Sequence, residues 1–188
     1  TPDGRILSGN PALAHILGYP SVDALSSSVQ NLAEQVYSDP KRRLEFLESI
    51  QREGKVVDFE VEVKRLDGSL AWVSLNARAV RDESGRILFF EGSAIDISQR
   101  KETESRLYHE VTHDALTGLP NRGAFVDETR QRLSSATPTF TLALLDLDAF
   151  RIIISSLGHR RADRLLVEVG RRLAMNLRTG EMAARPGG

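Results

Sequence analysis

Residues 57–97, VDFEVEVKRLDGSLAWVSLNARAVRDESGRILFFEGSAIDI, decide the fold of the first half of the chain. Apolar and charged residues alternate at the start of this stretch, which is the period-two pattern of a half-buried strand. Turn signals at 66–69 (LDGS) and 82–85 (DESG) divide it into three predicted strands. Strands joined in sequence by tight turns form an antiparallel meander. The residues predicted to face the core are Val57, Phe59, Val61, Val63, Ala71, Val73, Leu75, Ala77 and Ala79.

Two helices are predicted before the meander. Asn10 and Asp39 are each followed by proline, which combines a good N-cap with a residue favoured at the first helical position. Such helices can cover one face of the sheet. A turn at Asp3 and a short strand at 5–8 are expected ahead of them. The apolar residues predicted on the inner helix faces are Ala12, Ile16, Leu17, Leu44, Leu47 and Ile50.

The second half of the chain has a different pattern. Residues 140–147 are nearly all apolar, which predicts a strand buried on both faces. Helices are expected at 121–134, 150–157 and 162–177. This is an incomplete α/β pattern, because one strand cannot make a sheet. Residues 99–112 join the halves; they are rich in charge and contain neither Gly nor Pro, so they predict a helix.

Composition excludes several classes of function. The 188 residues carry a net charge of -1, so no global field attracts nucleic acid and we expect no nucleic-acid partner. The absence of cysteine excludes disulfides, cysteine zinc sites and a cysteine nucleophile. No apolar run is long enough to span a bilayer, and no signal segment opens the chain. We therefore expect a cytoplasmic chain, and leave open a membrane anchor upstream in a longer parent.

The first half resembles a PAS sensor domain. The segments that carry the resemblance are 3–6 (DGRI), 10–12 (NPA), 17–19 (LGY), 66–69 (LDGS), 72–73 (WV) and 96–101 (DISQRK). The resemblance implies a domain at residues 1–98 with its first strand truncated, built as an antiparallel sheet with helices over one face. Many such domains hold a small ligand. The ligand here is unknown, since cysteine chromophore chemistry is excluded and a haem would have only His15 as a histidine ligand inside the domain.

The second half resembles the first part of a GGDEF domain, the bacterial diguanylate cyclase. The segments that carry this resemblance are 113–122 (HDALTGLPNR), 146–151 (DLDAFR), 157–166 (LGHRRADRLL) and 184–188 (ARPGG). It implies a signalling helix at 99–112 and the N-terminal portion of a GGDEF domain at 113–188. The overall class is then α+β: a PAS sheet with helices, a helical linker and an incomplete α/β cyclase-like domain. The implied reaction joins two GTP molecules into cyclic-di-GMP with Mg²⁺ or Mn²⁺.

The resemblance also implies roles for individual residues. The Asp146 carboxylate and the Leu147 carbonyl would bind the metal, which suits the preference of magnesium for oxygen ligands. Asp163 would bind the guanine edge through its two acceptor oxygens. The other implied site residues are Phe150, Arg151 and His159 for substrate, and Arg178 and Glu181 for product inhibition. Plainer interpretations stay open: a turn-forming Asp146, a helix-start Asp163 and a structural His159.

Four departures from the family pattern bear on activity. Ile154 stands where the family has a guanine-reading asparagine, and an unmet polar partner costs roughly 1–3 kcal/mol. Glu181 stands where the product-inhibition site has aspartate, and Pro186 replaces an apolar residue. The acidic residues that the resemblance places after Gly188 are not in the sequence. We therefore expect no catalytic residue within this chain and no GTP turnover by it as it stands.

Three hypotheses follow for the parent protein. The first is an active diguanylate cyclase, gated by the PAS domain and dimerised through the PAS domain and linker helix. The second is a degenerate GGDEF domain that binds GTP or only pairs subunits, and regulates a downstream phosphodiesterase domain. The third is a PAS module that senses a ligand or dimerises by itself.

Overall fold

The computed structural model describes residues 1–134 and 139–187. The chain divides into two compact units, Thr1–Thr103 and Glu104–Gly188. Among the helices in the described residues, none is both long and apolar enough to cross a membrane.

The first unit is built on the predicted meander. Its strands β1 (Lys55–Lys64), β2 (Leu70–Arg81) and β3 (Ile87–Asp96) form an antiparallel sheet in the order β1-β2-β3. The first turn is closed by the Arg65 amide, which donates to the Ser69 carbonyl at 2.8 Å. The second is closed by the Gly85 amide, which donates to the Asp82 carbonyl at 3.0 Å. The meander expected from the sequence is therefore confirmed.

A β-bulge in β1 changes which residues of this strand face the core. The register with β2 shifts between Val56 and Phe59, and Asp58 lies in the left-handed region at φ 50° with its amide bonded to the Asn76 side chain at 3.0 Å. An extra residue in one strand reverses the alternation on one side of the bulge. Val56 is therefore buried and Val57 is 64% exposed, so the prediction that Val57 faces the core is wrong.

Four helices precede the sheet; two of them were predicted, and these two have the caps expected from the sequence. The Asn10 side chain accepts the Leu13 amide at 2.9 Å, and the Asp39 side chain accepts the Lys41 amide at 2.9 Å. Gly54 ends the last of these helices at φ 74°, a conformation that glycine adopts without a steric penalty. The helices are α1 (Pro11–Ile16), α2 (Val22–Ser28), α3 (Leu32–Gln35) and α4 (Pro40–Glu53).

The inner faces of these helices differ in part from the prediction. Ala12 is exposed and Leu44 is 60% exposed, whereas Arg43, Phe46 and Ile50 are the buried positions of α4. The predicted strand at 5–8 is absent from the described structure; the Arg5 amide instead donates to the Thr1 hydroxyl at 3.0 Å. The residues that form the main core are Ala14, Leu17, Leu25, Val29, Val36, Tyr37, Val61, Val63, Ala71 and Val73.

Helix α5 (Ser98–Thr112) continues the chain into the second unit, which is helical in its described part. Leu119 and Ala162 are buried there. Gly170 lets helix α8 (His159–Asn176) approach the 117–119 loop closely, since a Cβ at Gly170 would lie 3.2 Å from the Thr117 Cβ. The helices of this unit after α5 are α6 (Arg122–Leu133), α7 (Phe150–Leu157) and α8 (His159–Asn176).

The strand predicted at 140–147 is not formed. These residues have no regular secondary structure, and Leu144 is 91% exposed. A strand is stable only when a neighbour accepts and donates its backbone hydrogen bonds. The described residues place no such neighbour beside 140–147. The α+β class of the chain is confirmed, while the strand in the second half was a wrong prediction.

Candidate functional site

The loop at 113–122 is closed around Asp114. Its Oδ1 atom accepts hydrogen bonds from the Thr117 amide at 2.8 Å and from the Thr117 hydroxyl at 2.6 Å. The Asp114 amide donates to the Leu119 carbonyl at 2.7 Å, and the Gly118 amide donates to the Asp114 carbonyl at 2.9 Å. The loop is thus organised by one carboxylate and the backbone around it.

Arg185 ties the last part of the described chain to this loop. Its Nη1 atom donates to Asp114 Oδ1 at 2.9 Å, and its amide donates to the Pro120 carbonyl at 2.8 Å. Partial burial, the largest single influence, raises the pKa of Asp114, but the hydrogen bonds from Thr117 and Arg185 together bring that pKa below its ordinary value. The carboxylate therefore stays ionised, and the segment before Gly187 is fixed beside the loop.

The two metal candidates lie in the irregular segment before α7. The exposed carboxylate of Asp146 accepts the Leu147 amide at 2.8 Å, and the Leu147 carbonyl accepts the Phe150 amide at 3.3 Å. Both offer hard oxygen atoms, so their chemistry fits Mg²⁺. Within ranges 1–134 and 139–187, no cluster of three or more His, Cys, Asp or Glu residues could hold a metal. The segment thus offers two oxygen atoms of the kind that Mg²⁺ binds.

The residues implied to bind the substrate phosphates, Phe150 and Arg151, lie in the first turn of α7. Phe150 is half-buried and Arg151 is exposed. Ala149 precedes them at φ 57° and makes no side-chain cap. Amides at a helix N-terminus favour anions. The Phe150 amide already donates to Leu147, so the Arg151 side chain is the readily accessible group here.

The residue implied to bind guanine, Asp163, lies near the start of α8. Asp163 and His159 are both exposed in its first turns. Ile154 is half-buried in α7, and its carbonyl accepts the Gly158 amide at 2.9 Å across the α7–α8 turn. The turn therefore brings Ile154 and the start of α8 into one hairpin.

The product-inhibition candidates form a small closed turn. The Arg178 amide donates to the Glu181 carboxylate at 2.8 Å, and the Glu181 amide donates to the Arg178 carbonyl at 3.0 Å. Both residues are exposed. The exposed Arg178 side chain therefore extends from a hydrogen-bonded turn, whereas the Glu181 carboxylate already accepts one hydrogen bond within that turn.

The exit from the sheet is held by a network that the sequence did not reveal. Asp96 accepts the Ser98 amide at 2.8 Å and the Arg65 guanidinium at 3.1 Å. Ser98 Oγ accepts the Trp72 amide at 3.0 Å. Burial, the largest influence, raises the pKa of Asp96, and the bonds from Ser98 and Arg65 more than reverse this. The DISQRK string marked the place but not these partners.

A second network holds the first turns of α5 to the sheet. Glu60 on β1 pairs with Arg100 and Lys101, each at 2.5 Å. The Lys101 ammonium also lies 5.0 Å from the centroid of the Trp72 ring. Hydrogen bonds, first from Lys101 and then from Arg100, lower the pKa of Glu60. The start of the linker helix is therefore fixed by charges and an aromatic face.

The core of the first unit contains a buried cation that sequence reasoning also missed. Arg43 is 5% exposed, and its guanidinium lies 5.0 Å from the Phe46 ring and 5.6 Å from the Phe90 ring. It donates to the Thr1 carbonyl at 3.2 Å. Burial raises the pKa of the nearby Tyr37 despite the opposing charge of Arg43. Aromatic rings offset part of the cost of burying such a charge.

Two family models match the chain. Residues 1–99 match the model described as PAS domain, and residues 111–188 match the model described as diguanylate cyclase, GGDEF domain. The two matches follow each other in the order that the sequence segments predicted.

Curated relatives extend across both matches. The uncharacterized protein y4lL of Sinorhizobium fredii is 37% identical over 142 residues, which is 70% of this chain and 17% of the relative. The probable diguanylate cyclase DgcE of Escherichia coli is 26% identical over 191 residues, covering 98% of this chain and 17% of the relative. The cyclic di-GMP phosphodiesterase PdeR of Escherichia coli is 30% identical over 139 residues, covering 73% of this chain and 21% of the relative. The chain thus spans about a fifth of the length of these relatives.

Proposed function

Because the chain belongs to the PAS domain family through residues 1–99 and continues into a GGDEF domain at residues 111–188, we propose that it is the sensor-to-cyclase segment of a diguanylate cyclase. One observation carries this proposal. The single helix α5 starts at the Asp96, Glu60 and Trp72 networks of the sheet and ends at the loop organised by Asp114. A sensor that acts on an output domain needs such a connection.

The proposed signal acts at the start of α5. A ligand or partner of the PAS unit would alter the bonds of Asp96 and Glu60, and thereby the position of the helix that they hold. Two copies would pair through the PAS unit and the linker, so that two GTP-loaded sites meet. Exposed Leu107 and Val111, 53% and 74% exposed, support a paired linker. Because the substrate is GTP, we propose that the reaction takes place in the cytoplasm.

The residues of the second unit take the following proposed roles. Asp146 and the Leu147 carbonyl would hold Mg²⁺ or Mn²⁺, and the bound ion would neutralise charge on the triphosphate. Arg151 and the α7 amides would hold phosphate oxygens, and Asp163 would accept hydrogen bonds from guanine. His159 would lie beside the substrate. Cyclic-di-GMP would bind at Arg178 and Glu181 as an inhibitor.

A second function is favoured by one residue. Ile154 carries no hydrogen-bonding group at the position implied to read guanine, and it is half-buried in α7. A GGDEF domain that binds GTP poorly could instead regulate an attached phosphodiesterase domain. The similarity to PdeR, which is named a cyclic di-GMP phosphodiesterase, supports this alternative.

Turnover by the native polypeptide that contains this sequence distinguishes the two functions. Purified protein is given GTP and Mg²⁺, and cyclic-di-GMP formation and GTP binding are both measured. The cyclase predicts product from the wild type and from Asp127→Asn, a surface control, but none from Asp146→Asn. GTP binding without product favours the regulator. Neither binding nor product would overturn both.

A further inference from the structure

Two histidines lie face to face at the end of the linker helix. The rings of His109 and His113 are stacked with centroids 3.9 Å apart and an interplanar angle of 22°. Their spacing of four residues places them on one side of a helix. The His113 amide also donates to the His109 carbonyl at 2.9 Å, so the turn between them is already helical. His109 is exposed and His113 is half-buried, which leaves the pair accessible from solvent.

Thr112 sets the tautomer of His113. The Thr112 hydroxyl donates its proton to the Tyr108 carbonyl at 2.6 Å. The same oxygen lies 2.9 Å from His113 Nδ1. A hydroxyl has one proton, so towards His113 it acts as an acceptor and Nδ1 carries the hydrogen in the neutral ring. The lone pair of His113 is then on Nε2. A ring nitrogen held by a hydrogen bond while the other stays free is the arrangement found in metal-binding histidines.

We propose that His109 and His113 form a binding site for a divalent transition-metal ion of the zinc class. Imidazole nitrogen suits zinc, copper and nickel, and two imidazoles one turn apart on a helix can reach one ion once the stacked rings rotate so that their in-plane lone pairs converge. The site lies outside the proposed nucleotide site and outside the PAS core, so it does not depend on the proposed function.

The proposed ion has a structural role and not a hydrolytic one. Residues 109–113 read HEVTH, which matches the short pattern of zinc proteases. A hydrolytic zinc centre needs three protein ligands and an open position for water. In the part of the chain that the structure describes, no group of three metal-binding side chains is present. Water would complete the coordination shell of the proposed ion. The ion would then link His109 to His113 across the last turn of α5, next to Asp114, in addition to the backbone hydrogen bond between these residues. Metal binding would thus stiffen the joint between the linker and the 113–122 loop.

Zinc titration of the tag-free chain tests the proposal. Isothermal calorimetry with Zn²⁺ is expected to show one site per chain in the wild type, and loss of that site in His109→Gln and in His113→Gln. His15→Gln is the matched control, because His15 is an exposed histidine on α1 without a stacked partner, and it is expected to bind as the wild type does. Wild-type binding by both His109→Gln and His113→Gln would overturn the proposal.

Two further measurements separate binding from folding. Ring NMR signals of the wild-type chain need no substitution: Zn²⁺ is expected to shift those of His109 and His113, and shifts confined to other histidines would overturn the site. Thr112→Val tests the orienting hydroxyl. Loss of such a partner weakens metal binding by about 10-fold or more. An unchanged affinity would overturn the role of Thr112.

Discussion

Arg185 donates a hydrogen bond to the Asp114 carboxylate at 2.9 Å, across 71 residues of sequence. The two side chains are 19% and 21% exposed, so water screens this pair less than the surface pairs of the chain. The contact explains how the segment before Gly187 and the 113–122 loop keep one arrangement. It also gives the second unit a long-range bond where its predicted strand is missing.

Arg185→Gln is expected to loosen the 113–122 loop. It removes one charged donor from a partly buried carboxylate that keeps its bonds from Thr117, and a hydrogen bond to a charged group contributes about 1.5–3 kcal/mol. Hydrogen exchange at the Asp114, Thr117 and Gly118 amides should become faster. Arg130→Gln is the control, since its pair with Asp127 is 77% and 79% exposed and should matter little. Equal exchange in both variants would contradict the stabilising role.

The contribution of Asp114 should depend on pH in one direction. Its pKa is lower in the folded chain than the 3.8 of an unperturbed aspartate, so the folded state holds the proton less tightly than the unfolded state. The resulting stabilisation is present above pH 3.8 and is lost as pH falls through the lower, folded value. The stability difference between the wild type and Asp114→Asn should shrink over that acid range. A difference that is constant with pH would show that ionisation of Asp114 does not matter.

Lys101→Met should release the start of α5 from the sheet. The substitution removes the ammonium near the Trp72 ring and its pair with Glu60, and a cation over an aromatic face contributes about 0.5–1 kcal/mol. Trp72 is the one tryptophan of the sequence, so its fluorescence reports this place directly. The emission should change in Lys101→Met and stay the same in Lys41→Met, which alters an exposed lysine on α4. No change in either variant would contradict the proposed anchor.

Gly92→Ala should destabilise the sheet. A Cβ at Gly92 would lie 2.7 Å from the Ala77 Cα and 2.9 Å from the Ala77 Cβ on the neighbouring strand. Overpacking of this kind costs about 1–3 kcal/mol. Urea unfolding followed by Trp72 fluorescence should show a lower midpoint, whereas Ser93→Ala, the exposed neighbour, should leave it within error. A normal midpoint for Gly92→Ala would mean that the strands separate easily at this position.

Local patterns predicted the first unit well because their causes are local. The Asn10 and Asp39 caps and the turns at 66–69 and 82–85 each depend on a few adjacent residues, and all are present. Features that depend on distant partners were missed or wrong. Val57 was wrongly predicted to face the core because the bulge is held by Asn76 on another strand. No short sequence pattern indicates this bulge.

In the candidate site, too, features set by adjacent residues were predicted and features that depend on distant partners were missed. The DISQRK string indicated where the sheet ends, but the partners of Asp96 and Glu60 come from other elements. The apolar run at 140–147 predicted a strand because period and hydropathy ignore whether a neighbour exists. The stacked His109 and His113 could have been found from their spacing of four, since the helix predicted at 99–112 ends one residue before His113.

Ile154→Asn is expected to strengthen GTP binding in the native polypeptide that contains this sequence. If the position faces guanine, an amide would supply the missing hydrogen bond, worth roughly 1–3 kcal/mol. That corresponds to about 5- to 150-fold in affinity. Ile152→Asn is the matched control, because Ile152 lies on the same helix and is 64% exposed, so its replacement should leave GTP affinity unchanged. Titration with GTP in the presence of Mg²⁺ measures both. An equal affinity of Ile154→Asn and the wild type would show that position 154 does not read the base, and would remove the main argument for a degenerate regulator.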